Sequence, residues 1–344
     1  MKIAIVIHGN LRTFLMPLRE APHIRLCDLT LHNIFYENQN DSDVFIATDC
    51  NDFYYNGSQY FCDDKKIEII NSDSFRLFPN IKFESKNNCR QIITTQLLSL
   101  IPNIKKLYIE DPVDCADDEK CAVLKEAFKQ GFHGAPPSQL VAQYKKLKTL
   151  GNMVNEYENE NNIKYDVILK IRFDAFYPCN RKLNLKSYSY DDSSVYVPNC
   201  EGNMIYDWIA FGSRNVLMPY LNLYDKIGFT TEHPCWLVEH CPKCGKQGFY
   251  GKIPVKMGWH DTCPVCQSSG KIWVGDLTLA SEYHVFQMYK MMNVTPKPCN
   301  YYPIIYRYQD LQNNVSLENI FKNNELSGVK FVNNFENEKT LTVL

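Results

Sequence analysis

The sequence predicts an α/β protein: a mostly parallel sheet flanked by helices, with a small cysteine-rich module set into its second half. Three observations carry this. Short apolar runs alternate with helix-like segments from Ile3 to Asp174. The runs are continuous rather than alternating, as in strands covered on both faces. Two CxxC pairs stand close together after residue 240.

The elements follow in order. IAIVI, from Ile3 to Ile7, is bounded by His8-Gly9-Asn10 and suits a central strand with a tight loop after it. A helix is expected around residues 17–38. SDVFIATD, Ser42 to Asp49, reads as a second strand that ends in a carboxylate. Residues 50–66 are turn-rich and aromatic and read as a loop, and KIEIIN at 66–71 as a third strand. Residues 86–101 and 117–130 read as helices with a break holding Pro and Asp between them. The clearest helix runs from Ser138 to Asn162. Two prolines precede it, Ser138 can cap it, and Leu140, Tyr144, Leu147, Leu150 and Val154 fall at spacings of three and four. It leads into YDVILKIRFDAFYP, a strand that runs out in Arg172-Phe173-Asp174. From residue 195 the pattern gives a strand, a loop, a second strand around 206–211 and a helix around 213–227. TLASEYHVFQMYKMMNV resumes as a helix after the cysteine module. The tail after about residue 310 is Asn-rich and weakly patterned.

Composition narrows the function. The 344 residues carry a formal net charge of -2, with 22% charged residues and no long Lys/Arg run. Grip on a polyanion by bulk charge is therefore not expected, which argues against nucleic acid as partner. The apolar stretch at the start is too short for a secretory signal, and no stretch approaches a membrane span, so a cytoplasmic location is expected. In that compartment most of the 14 cysteines are expected as free thiols. Cys241/Cys244 and Cys263/Cys266 are different. Two thiolates three residues apart can face one ion, and a second such pair completes a tetrahedron. A structural zinc ribbon inserted at 235–275 is expected, with residues 1–234 and 276–344 as the main domain. His260 and Asp261 are surplus to a four-thiolate site. Redox use of the CxxC pairs, or two disulfides, is the alternative.

Ligands of parallel α/β sheets bind beyond the carboxyl ends of the strands. His8, Gly9, Asn10, Asp49, Arg172 and Asp174 all sit at such ends. Gly9 allows a ligand to approach the backbone. Arg12 can reach a phosphate or lie on the surface, and Asp49 can contact base or ribose or merely cap. Arg172 and Asp174 can organise a ligand or form a structural ion pair. Two carboxylates are candidate general bases. Asp207 stands beside Trp208, and Glu282 lies in a first helical turn, where an acidic residue is also ordinary dipole chemistry. His284 reads as a packed histidine.

KIAIVIHGNLRTF, SDVFIATD, the Gln-Tyr helix before YDVILKIRFDAF, and DWIAFGSRNVLMPYLNLYD together resemble GT-A-type glycosyltransferase-like proteins of viruses and bacteria. The resemblance covers roughly residues 1–230 and 276–305. It implies a GT-A-like fold, a nucleotide-sugar donor and a glycan or protein acceptor. It also implies that Gln143 and Lys146 face the nucleotide. An AT-rich viral genome would suit the Asn-, Lys-, Ile- and Tyr-rich composition, with the host cytoplasm as location. Such enzymes carry Asp-x-Asp after a central strand; here Arg172 replaces the first Asp. Either Asp174 anchors Mn²⁺ or Mg²⁺ with the donor, or Arg172 is the cation that clamps the diphosphate. The rival readings are a degenerate transferase that binds partners through its zinc ribbon, and a nucleic-acid-interacting enzyme.

Overall fold

A computed structural model of the chain describes residues 1–9, 11, 14, 27, 30–49, 53–55, 58–60, 86–110, 118–129, 137–176, 182–198, 200–201, 204–228, 235–251, 253–276, 280–299, 301 and 304–305. The chain divides into two compact units: Met1–Pro112, Glu156–Ser189 and Asn300–Leu344, and then Val113–Asn155 with Tyr190–Cys299.

The first unit is built on parallel strands in the order β6-β1-β2-β5, where β1 is Ile3–His8, β2 Ser42–Asp49, β5 Ile104–Glu110 and β6 Val167–Arg172. β1 is buried along its whole length, and Ile3, Ile5, Val6 and Ile7 each contribute about 2 kcal/mol by leaving water. Register sets the ends level: His8 lies opposite Arg172 on one side and Ala47 on the other. β5 was expected as a break between helices. It is a strand instead, paired with β2 from Val44 to Asp49. Its Lys105, Lys106 and Tyr108 give it the polar pattern of a sheet margin. Lys106 ties it to Glu160 and Glu156, at 2.9 and 3.1 Å. Two short hairpin strands, β3 (Phe53–Tyr55) and β4 (Ser58–Tyr60), occupy part of the expected 50–66 loop. β7 (Ala175–Phe176) pairs with β17 (Ile304–Ile305).

α1 (Lys86–Leu100) and α2 (Glu119–Lys129) match the expected helices, as does α3 (Pro137–Asn161). α3 stops for a local reason. Asn162 takes φ 50, and the N–H of Ile163 reaches back to the Glu158 carbonyl at 3.0 Å, a left-handed helix stop. The buried Glu158 carboxylate accepts from the Tyr165 N–H at 3.0 Å and steers the chain into β6.

In the second unit β8 (Ser194–Val197) runs antiparallel to β11 (Ile209–Ser213) and parallel to β16 (Thr295–Pro298), so this sheet is mixed rather than parallel. β9 (Cys200–Glu201) and β10 (Met204–Ile205) form a small pair. Ser213 ends β11 and caps α4 (Arg214–Leu221), its Oγ accepting from Val216 N. α4 stops short of the expected 227, and a 3-10 turn, Leu223–Lys226, follows. α5 is Ser281–Met291.

The cysteine module is a four-stranded antiparallel sheet in the order β13-β12-β15-β14, formed by β12 (Trp236–Cys241), β13 (Gly245–Tyr250), β14 (Gly258–Thr262) and β15 (Ser269–Asp276). Trp236, Val238, Ile253, Ile272 and Val274 make a small core against Cys241 and Cys263. Most of the expected 17–38 helix, the expected strand at 66–71 and the tail after 310 lie outside the described residues; Leu31–Phe35 forms a π-helical turn. Among the described residues no helix is long and apolar enough to cross a membrane.

Candidate functional site

The four thiols of the module form one cage. Their sulfurs all lie within 4.8 Å of one another. Cys241 and Cys266 are 3.4 Å apart, and Cys244 and Cys263 are 3.8 Å apart. A tetrahedron of sulfurs around zinc, with Zn–S of about 2.3 Å, has an edge of about 3.8 Å. A disulfide needs about 2.05 Å. All four are free thiols, so the spacing fits a metal and not two disulfides. The turns support it. Cys244 N–H points to Cys241 Sγ at 3.2 Å, and Ser268 Oγ lies 3.2 Å from Cys241 Sγ and 3.0 Å from Cys266 Sγ.

Electrostatics within the cage is uneven. Burial pushes the Cys241 thiol up, but hydrogen bonds from Ser268 and from the Cys244 and Lys243 backbone outweigh it and bring it to about 6. At Cys244 the bond with Tyr250 lowers the pKa, yet burial and the neighbouring thiols raise it to about 12. Together they disfavour several bare thiolates in one place, which a bound cation would relieve. Four soft ligands in a tetrahedron suit zinc and leave no open position. His260 turns away, its Nε2 2.7 Å from the Lys256 carbonyl, and neither it nor Asp261 belongs to the cluster. Next to His260 stands Trp259, 62% exposed, with the His240 ring stacked on it at 5.6 Å and 13°.

In the first unit the strand ends gather polar groups. Gly9 leaves β1 at φ +101, a conformation glycine adopts without strain, and among the described residues nothing lies within 4 Å of where a Cβ would stand. Its carbonyl accepts from Thr48 Oγ1 at 2.9 Å. Phe173 N–H donates to the His8 carbonyl at 3.2 Å, and the Phe14 ring meets Phe173 edge-on at 4.8 Å. These contacts bring the loop after β1 and the turn after β6 together. There the Arg172 guanidinium grips Asp174 with Nε to Oδ1 at 2.8 Å and Nη2 to Oδ2 at 2.8 Å. Asp174, expected as a metal ligand, thus spends both oxygens on Arg172. Asn10, Arg12 and the side chain of Asp49 lie outside the described residues. The sequence reading missed Lys170, fully buried on the same face of β6 as Arg172; a lysine inside VILKIR was the available signal.

In the second unit the two candidate bases meet. Asp207 is 1% exposed, in the turn before β11. Gln143 Nε2 of α3 donates to its Oδ2 at 2.7 Å. Ser281 Oγ, at the start of α5, lies 3.3 Å from the same oxygen and 3.0 Å from Glu282 Oε2. Below them Tyr144 OH and His284 Nδ1 are 2.7 Å apart, both fully buried. Burial raises the Tyr144 pKa, and the charges of Asp207 and Glu282 raise it further. Gln143 and Lys146 were expected to face a nucleotide. Gln143 serves Asp207, and Lys146 is buried at 3% exposure. His284 is packed, and Trp208 lies against Tyr206 at 4.8 Å. Sequence spacing gave no sign of Ser281.

No protein-family model matches the chain. No curated protein matches it either. Among solved structures it is similar to the apo form of mouse xyloside xylosyltransferase 1, at 9% identity over 66% of this chain and 71% of that one, with a TM-score of 0.28. At that score the likeness carries no argument about this chain.

Proposed function

We propose that the chain is a glycosyltransferase that moves a sugar from a nucleotide-sugar donor to a hydroxyl of a glycan or protein. The observation that carries this reading is the level set of strand ends in the first unit. Gly9 carries no side chain to hold a ligand off its backbone, and the Arg172–Asp174 fork follows the level end of the neighbouring strand, where α/β sheets take phosphorylated ligands. Arg172 supplies positive charge for the diphosphate, and Asp174 fixes the plane of its guanidinium. Mn²⁺ or Mg²⁺ would reach Asp174 by sharing its oxygens with Arg172. Within the second unit, Asp207 and Glu282 are the carboxylates that offer a general base. The cysteine module is a structural zinc ribbon occupying 235–275 within the main domain formed by 1–234 and 276–344.

The test is a screen of UDP-, GDP- and CMP-sugars for hydrolysis and transfer, with and without Mn²⁺. Turnover of one donor family is expected, with loss of binding to that nucleotide on Arg172→Met. Absence of both turnover and nucleotide binding across the set would refute the transferase reading. A second reading, a partner-binding protein that docks through the ribbon, is favoured by one observation, the exposed Trp259 with His240 stacked on it.

A further inference from the structure

The four cysteines of the ribbon are not held alike. We infer that Ser268 is a positioning residue that sets how firmly and how long the ribbon keeps its metal, because its hydroxyl clasps Cys241 of the first knuckle to Cys266 of the second. The inference rests on the zinc reading of the ribbon and is independent of the transferase reading. It gives the retention of the ion to a residue outside the ligand set.

The backbone puts the hydroxyl there. Gln267 follows the second knuckle at φ 61, in the left-handed region, and its N–H donates to the Cys263 carbonyl at 3.0 Å. The Cys263 N–H donates in turn to the Ser268 carbonyl at 2.9 Å, so the turn closes on itself and fixes Ser268 against the knuckle. Ser268 Oγ then stands 3.0 Å from Cys266 Sγ and 3.2 Å from Cys241 Sγ. Those two sulfurs are 3.4 Å apart in space but 25 residues apart in the chain. The first knuckle has no counterpart to this hydroxyl. CPKCGK and CPVCQS align position by position, and the place of Ser268 is taken by Lys246.

Four thiolates around one dication leave an excess of negative charge on sulfur. A hydroxyl that donates to sulfur draws off part of that charge and fixes the ligand in place. Ser268 has one hydrogen to give, and with both sulfurs in reach it serves either. Position makes this count for metal exchange. Cys241 and Cys263 are buried, while Cys244 and Cys266 are half-buried, so a competing ligand arrives first at Cys244 or Cys266. Cys266 is thus the reachable sulfur beside the hydroxyl, and Cys241 is the buried one it is tied to. Without the clasp, Cys266 leaves the ion more readily and exchange quickens.

The test uses the zinc-loaded full chain, challenged with excess pyridylazoresorcinol, whose colour reads the released metal. Ser268→Ala should weaken zinc binding about tenfold and speed release about as much. Ser268→Thr, which keeps the hydroxyl, should stay near the wild type, and Ser269→Ala, at the exposed neighbour, should match it. A second readout separates the hydrogen bond from packing. With Co²⁺ in the cage, losing the bond raises the energy of the sulfur lone pair, so the thiolate-to-cobalt charge-transfer band of Ser268→Ala should move to longer wavelength. Release and band position equal to the wild type would overturn the inference and leave the zinc reading intact. Faster release with an unmoved band would reduce Ser268 to a packing role and overturn it too. If Ser268→Ala retains too little metal to measure, Ser268→Thr decides: retention there supports the hydroxyl, and loss there rejects it. A wild-type chain that takes up neither zinc nor cobalt would end the zinc reading and the clasp with it.

Discussion

Arg172 and Asp174 are locked to each other by two parallel hydrogen bonds of 2.8 Å, across a side chain that is 20% exposed and one that is 4% exposed. The fork gives Asp174 a structural role. Asp174→Ala should cost about 3 kcal/mol, because it takes two charge-assisted hydrogen bonds from a largely buried guanidinium. The double variant Arg172→Met/Asp174→Leu should recover most of that, since apolar replacement of both partners removes both charges and their desolvation cost. Urea midpoints of the wild type and the two variants give the comparison. If the double variant is the least stable of the set, the fork is stabilising in its own right and the desolvation argument fails. Loss of nucleotide binding in Asp174→Ala alone is therefore not diagnostic; loss in the double variant at preserved stability is.

The thiol cage predicts one zinc per chain. Purified, unchelated protein should carry it by metal analysis, and Cys263→Ser, at a fully buried ligand, should lose it. The ribbon core is small, so its folding should depend on the ion, whose binding to such sites is worth about 10 kcal/mol or more at neutral pH. Strong chelator should therefore abolish the near-UV signal of Trp236, Trp259 and Trp273. A stoichiometry near zero, with that signal intact, would show a ribbon that folds on its side chains alone.

What the sequence reveals depends on how local the signal is. β1 and β6 are legible because each is rich in Ile and Val, and α3 because its apolar residues recur at three and four. The cage is legible because each knuckle is written within four residues. β5 is not. Its Lys105, Lys106, Tyr108 and Glu110 dilute an apolar face made of Ile104, Leu107 and Ile109, as a strand at the sheet margin permits. The carboxylate pair hides for another reason. Gln143 and Asp207 are 64 residues apart, and nothing near either names the other. Ser281 could be chosen from sequence only by its place beside Glu282, a position shared by any helix-opening serine.

Acid should weaken the second unit through Asp118. This residue caps α2, accepting from Lys120 N–H at 2.8 Å, and takes Lys145 at 2.6 Å and the Tyr224 hydroxyl at 3.0 Å. Burial raises its pKa, but the Lys145 and Lys120 bonds outweigh that and hold it below the ordinary 3.8. A depressed folded-state value means the stabilisation is fully present above the unfolded value and lost as pH falls through the folded one. The urea midpoint should thus drop as pH falls below about 4. Asp118→Asn should be less stable at pH 7 and show a shallower decline over that range. Parallel declines in the two proteins would place the acid sensitivity elsewhere.

Trp259 separates the two functional readings. A tryptophan 62% exposed contributes little burial, so Trp259→Ala should leave zinc content and melting nearly unchanged, within about 0.5 kcal/mol. Its partner ring, His240, holds φ 64 and stacks on Trp259 at 5.6 Å, so the pair presents a flat aromatic surface rather than a mobile side chain. If the chain is a transferase whose ribbon is purely structural, the variant should turn over donor and small acceptor at the wild-type rate. A ribbon that docks a protein or glycan partner predicts a different pattern: unchanged donor hydrolysis, with a KM for the macromolecular acceptor raised about tenfold or more, as expected on losing an aromatic anchor. Equal loss on small and large acceptors would contradict both, because it would require Trp259 to act at the chemical step.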